Sequence, residues 1–166
     1  GMMLLRANSL AKGHSGVRVE VIEKIIEFLN QDIIPYVPRI GSLGASGDLA
    51  PLAHSALTII GEGQIILDNG DQVPTTDVLK KHNILPLILE AKEGLSLING
   101  TSQMLSWLCL SERNLIGIFK LADIIYCTSL ESIQGTIAPA DERVHSSRPH
   151  PGQRVVAERI RNIMMK

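Results

Sequence analysis

The chain has 166 residues, 45% hydrophobic and 20% charged, enough for one ordinary globular domain with its own core. A formal net charge of −1 gives no electrostatic footprint for nucleic acid, and Arg154, Arg159, Arg161 and Lys166 read as a solvated helix face. No apolar run approaches the ~18 residues of a membrane span and no cleavable leader pattern opens the chain, so a cytoplasmic location is expected.

Val17 to Gln31 alternates Val17, Val21, Ile22, Ile25, Ile26 and Leu29 with Glu20, Glu23, Lys24 and Glu27. That spacing predicts an amphipathic helix with Glu20 and Lys24 paired one turn apart. Ile33 to Pro38 must run extended around its two prolines. Asp48 to Ile60 reads as a helix with Pro51 in its first turn. Gln64 to Val73 is the one clear β signal, two short strands flanking Asn69-Gly70, a type I′ turn pair. Thr75 or Thr76 is expected to cap a short helix over Asp77 to His82, and Pro86 to begin another that ends near Gly94.

From Thr101 to Ser132 apolar residues recur by threes and fours, as in a helical bundle. Trp107, Leu110, Ile116, Ile118 and Ile124 widen that surface beyond one stripe, so this helix requires neighbours all round or exposes a sizeable patch. Gln153 to Met165 forms a last helix. The whole reads as one domain over 1–166, mainly α: a helical bundle fragment with a long central helix and one small β-hairpin. The loop-bearing part covers about 1–100, and the start of the bundle about 101–166. Cys109 and Cys127 lie on the same long helix, cannot be bridged, and are expected to be reduced, buried fillers.

The segment Gly41-Ser42-Leu43-Gly44-Ala45-Ser46-Gly47-Asp48 places a serine between the two smallest residue types just before a helical run. Its backbone can fold more tightly than larger side chains permit. A sharp bend there would bring the Gly47 nitrogen to the Ala45 carbonyl carbon. Ring closure and loss of water would leave Ser46 as a methylidene electrophile. A nucleophile elbow fails because G-x-S-x-G would need glycine where Asp48 stands, and a phosphate loop fails because no Gly-Lys-Ser/Thr follows. Taken alone, the loop reads more readily as a glycine-rich turn in which Ser46 or Asp48 caps the following helix.

The Ala-Ser-Gly loop resembles that of the histidine/phenylalanine/tyrosine ammonia-lyases, and further motifs extend the likeness over nearly the whole chain. They are Leu4 to Leu10 with Gly13 to Arg18, Asp48 to His54, Ile60 to Gly63, Lys92 to Thr101, and Arg148 to Gln153. The resemblance implies a methylidene-imidazolone (MIO) formed from Ala45, Ser46 and Gly47. It also implies attack by the amine of an aromatic L-amino acid on the carbon derived from Ser46, then base-assisted loss of ammonia. It places Asn99, of the Asn-Gly-Thr motif, beside that group. Asp48 could polarise the ring or cap the helix it opens.

The resemblance implies a histidine ammonia-lyase most closely, forming urocanate, with a tyrosine ammonia-lyase or tyrosine aminomutase as the nearest rival. A homo-oligomer through the long helix follows as well. In this family the tyrosine base lies upstream of the Leu4 motif and the carboxylate-binding arginine downstream of Gln153. The 166 residues alone are therefore expected to be inactive, and a non-catalytic helical assembly domain is the reading from another class. His14, His54, His82, His145 and His150 show no helical metal-site spacing and no metal is expected. His14 and His150 are assigned structural roles, and His82, after two lysines, an exposed one.

Overall fold

A computed structural model describes residues 1–43 and 45–165. Gly44, within the glycine loop, and Lys166, of the basic cluster, lie outside the described residues. The chain is mainly helical: α1 (Met2–Leu10), α2 (Val19–Asn30), α3 (Leu49–Ile59), α4 (Thr75–His82), α5 (Glu93–Ile98), α6 (Ser102–Ser132), α7 (Glu142–Ser146) and α8 (Pro151–Met164). One antiparallel pair, β1 (Gln64–Ile66) and β2 (Gln72–Pro74), interrupts them. The chain forms two compact units, Gly1–Cys109 and Leu110–Lys166.

In the first unit the apolar stripe of α2 delivers Val21, Ile25 and Phe28 to an aliphatic core with Leu10, Ile33, Ile59, Ile65, Leu79, Ile84 and Leu97. Burying each such side chain is worth about 1.5–3 kcal/mol. The core joins α1, α2, α3, the hairpin, α4 and α5, so the loop before α3 and the turn after α5 stand on one scaffold. Ile34 to Tyr36 run extended along β1, with Tyr36 N–H donating to Gln64 O and Ile66 N–H to Ile34 O. In the second unit, Arg159 pairs with Asp123 at 2.7 Å and Arg161 donates to the Ala140 carbonyl. Two members of the basic cluster thus hold structure instead of facing solvent freely.

Several local expectations give way. The hairpin turn is not type I′, because the positive φ falls on Gly70 (88°) and not on Asn69. Gly70 N–H donates to Leu67 O and Leu67 N–H to Asp71 O, a three-residue loop closed by a left-handed glycine. Asn69 Oδ1 accepts from Asp71 N–H, which fixes Asn69 as a local bridge. Thr75 does not cap α4; it is the buried first residue of that helix, and Pro74 precedes it.

Residues 84–90 lie in neither helix nor strand, and Gly94, near the expected end of a helix from Pro86, lies in the first turn of α5. Their backbone bonds go elsewhere: Leu87 N–H donates to Ile59 O, and Ile88 O accepts from Arg18. Lys24 pairs with Glu27 at 2.6 Å and not with Glu20. Cys127 is buried but Cys109 is exposed, and both are free. His82 is half-buried and its Nδ1 lies 2.7 Å from Gln31 Oε1.

Candidate active site

The loop residues Ala45 and Ser46 are exposed, lie in neither helix nor strand, and mark a bend in the chain. Gly47 follows with φ of 105°, a conformation that side-chain-bearing residues avoid. A Cβ on Gly47 would sit 2.7 Å from the Gly100 carbonyl oxygen, so the position also has no room for one. The two segments are bonded as well as packed, since Asp48 N–H donates to Gly100 O at 2.7 Å. Asn99, the residue before Gly100, is exposed like Ser46.

Asp48 has 0% exposure, and its carboxylate does not cap α3. Its Oδ2 accepts from the backbone N–H of Gln103 and Met104, each at 2.9 Å. Those are first-turn amides of α6, so one carboxylate satisfies two orphan donors and meets the positive end of that helix dipole. Its backbone carbonyl meanwhile accepts from Leu52 N–H at the start of α3. Asp48 therefore ties the loop, α3 and α6 together.

The turn bearing Asn99 is set by α5, which is held at two levels. At its first residue, the Glu93 carboxylate accepts from Arg18 N–H (3.1 Å), Arg18 Nε (2.9 Å), Arg18 Nη2 (2.9 Å) and Glu90 N–H (2.7 Å). Glu93 is 1% exposed, and these bonds, Arg18's above all, hold its carboxyl at about 2 against the burial that opposes ionisation. At mid-helix, Ser96 O accepts from Arg6 Nη2, and Ser96 Oγ donates to Ser15 O at 2.9 Å. Sequence reasoning missed Arg6, Arg18 and Glu93 as site-building residues. The available signal was charged residues standing within the apolar or glycine-rich motifs that carry the family likeness.

A family model described as aromatic amino acid lyase matches residues 1–166. The chain belongs to that family. It is 48% identical over 163 residues to a histidine ammonia-lyase of Koribacter versatilis, covering 98% of this chain and 31% of that protein. It is 45% identical over 164 residues to a tyrosine ammonia-lyase of Cupriavidus metallidurans, again 98% of this chain and 31% of the relative. Among solved structures, a tyrosine aminomutase from Streptomyces globisporus superposes with a TM-score of 0.90 at 42% identity, over 98% of this chain and 30% of that one. The chain thus spans about a third of the length of the curated relatives it matches. Among the described residues no helix is long and apolar enough to cross a membrane, and no group of three His, Cys, Asp or Glu could hold a metal ion.

Proposed function

We propose that this chain is the loop-bearing third of a histidine ammonia-lyase, in which Ala45, Ser46 and Gly47 cyclise to MIO and Asn99 flanks the reacting amine. The carrying observation is the Asp48 N–H to Gly100 O bond, which fixes the Ala-Ser-Gly loop against the Asn-Gly-Thr turn. The residues present fit the group: a bend at Ala45 and Ser46, a left-handed Gly47 with no space for a side chain, and an exposed serine free of regular structure. Once formed, the ring supplies an electrophile for the substrate amine. Asn99, exposed beside the loop, offers its carboxamide to that amine, and Asp48 holds the loop at the start of α6.

Histidine is favoured as substrate by the histidine ammonia-lyases among the relatives, and tyrosine is the specific rival because a tyrosine ammonia-lyase matches at 45% identity. The exposed apolar surface of α6, with Trp107 at 64% and Phe119 at 60%, supports self-association of the enzyme. Turnover belongs to the whole enzyme, of which this chain supplies the electrophile. The test is intact mass together with deamination of histidine, tyrosine and phenylalanine by the full-length enzyme. A mass two waters below the encoded one and preference for histidine are expected. An unmodified Ser46, or inertness toward all three amino acids, overturns the proposal.

A further inference from the structure

Two backbone segments and one side chain are stacked at the loop: Gly47, Gly100 and the Arg6 guanidinium. A Cβ on Gly47 would strike the Gly100 carbonyl, and a Cβ on Gly100 would overlap Arg6 Nη1. Arg6 is 7% exposed, and no acidic side chain pairs with it among the described residues. Its Nη2 donates to Ser96 O, while its Nε is buried with no partner among the described residues. A buried cation held by so few bonds costs stability. Burial draws its pKa downward, in the same sense. The planar guanidinium therefore stands against Gly100 at a cost that apolar packing would not carry.

We propose that Arg6 is a positioning residue for the cyclising loop, acting through Gly100: its guanidinium is the floor that sets the height of the Gly100 carbonyl and thereby of Gly47. The proposal rests on the cyclisation reading above. Ring closure forms a bond from Gly47 N to the Ala45 carbonyl carbon. One water leaves with the Ala45 oxygen and the amide hydrogens of Ser46 and Gly47; the second takes the Ser46 hydroxyl and its Cα hydrogen. The first step needs Gly47 N close to that carbon, so a shift of the floor by a fraction of an ångström acts on it directly. Displacements of about 1 Å can change a rate by on the order of a hundredfold.

The experiment follows cyclisation by intact mass after refolding the 166-residue chain as parent, Arg6→Lys, Arg6→Met and Gly100→Ala, with melting temperature measured in parallel. Arg6→Lys keeps the cation and stem, and it is expected to melt near the parent yet cyclise roughly ten- to a hundredfold more slowly. Gly100→Ala keeps Arg6 but displaces it, and is expected to slow cyclisation likewise. Arg6→Lys and Gly100→Ala both cyclising at the parental rate, or cyclisation tracking melting temperature across all variants, overturns the proposal.

A parent that never loses water refutes ring formation in this chain but not the positioning role. Amide exchange then decides that role. Arg6→Lys should deprotect Asp48 N–H at least about tenfold relative to the hairpin amide of Leu67, and equal protection overturns it.

Discussion

Replacing Glu93 by glutamine tests how α5 is anchored. The wild-type carboxylate accepts four hydrogen bonds, three of them from Arg18, and its pKa is lowered from 4.5 to about 2. A depressed carboxyl stabilises the fold fully above its unfolded pKa and loses that contribution as pH falls through the folded one. The window is therefore roughly pH 4.5 down to 2. The displacement corresponds to roughly 3 kcal/mol as an upper bound, trimmed by water around the part-exposed Arg18.

Glu93→Gln should lose about 2–3 kcal/mol at pH 7, because its amide turns donors toward Arg18 and leaves buried groups unsatisfied. The gap should close as both proteins are taken from pH 5 toward pH 2. Urea unfolding at fixed salt across that range is the assay. The Asp141 carboxyl is also held below its usual range by Arg143, but it contributes equally to both proteins and cancels in the difference. Parallel stability profiles for the two proteins would refute the buried-anchor reasoning.

Asp48→Ala should destabilise by about 1–3 kcal/mol, since it removes the cap of α6 and leaves two amides without their acceptor. Asp48→Asn, which keeps an acceptor but not the charge, should lose less. Amide exchange at Gln103 and Met104 should accelerate in step, and unchanged exchange would contradict the capping geometry. Gly47→Ala must place an alanine at φ 105° against the Gly100 carbonyl, so it should lose on the order of 1–3 kcal/mol and show no two-water loss in intact mass. Trp107→Glu with Phe119→Glu should shift sedimentation toward the monomer without lowering the first unit's stability; a parent that is already monomeric would exclude self-association through α6.

Where one side chain pattern decides an element, the sequence was readable. The stripe Val21, Ile25 and Phe28 and the long apolar periodicity of α6 both fold as their spacing demands. The stretch expected to be helical from Pro86 to near Gly94 misled because its apolar residues mimic a helix, yet distant partners, Ile59 O and Arg18, claim its backbone at Leu87 and Ile88. The turn at Asn69 turned on the φ of a single residue. Asp48 shows the limit most clearly. Its position before an apolar run reads as a cap for α3, but its carboxylate caps a helix 55 residues further on, a fact of tertiary packing that no local pattern encodes. The bend at Ala45 and Ser46 and the left-handed Gly47 were legible because only small residues stand there; the supports beneath them were not.

Those supports share a physical character. Arg6 to Ser96, Ser15 to Ser96, Arg18 to Glu93, and Asp48 to Gly100, Gln103 and Met104 are directional polar bonds between segments distant in sequence. Apolar burial is non-directional and would leave the loop free to slide by fractions of an ångström over the core. A hydrogen bond weakens steeply once its angle is lost, so a set of them fixes position as well as proximity. Each buried member also depends on its partner, because deleting one leaves the other unsatisfied. Arg6, Ser15 and Arg18, Asp48, and the segment from Glu93 to Gly100 thus act as one clamp around the Ala45–Gly47 loop and the Asn99 turn. The proposed cyclisation would draw on a support of that kind, which does not yield at the point where the chain is bent.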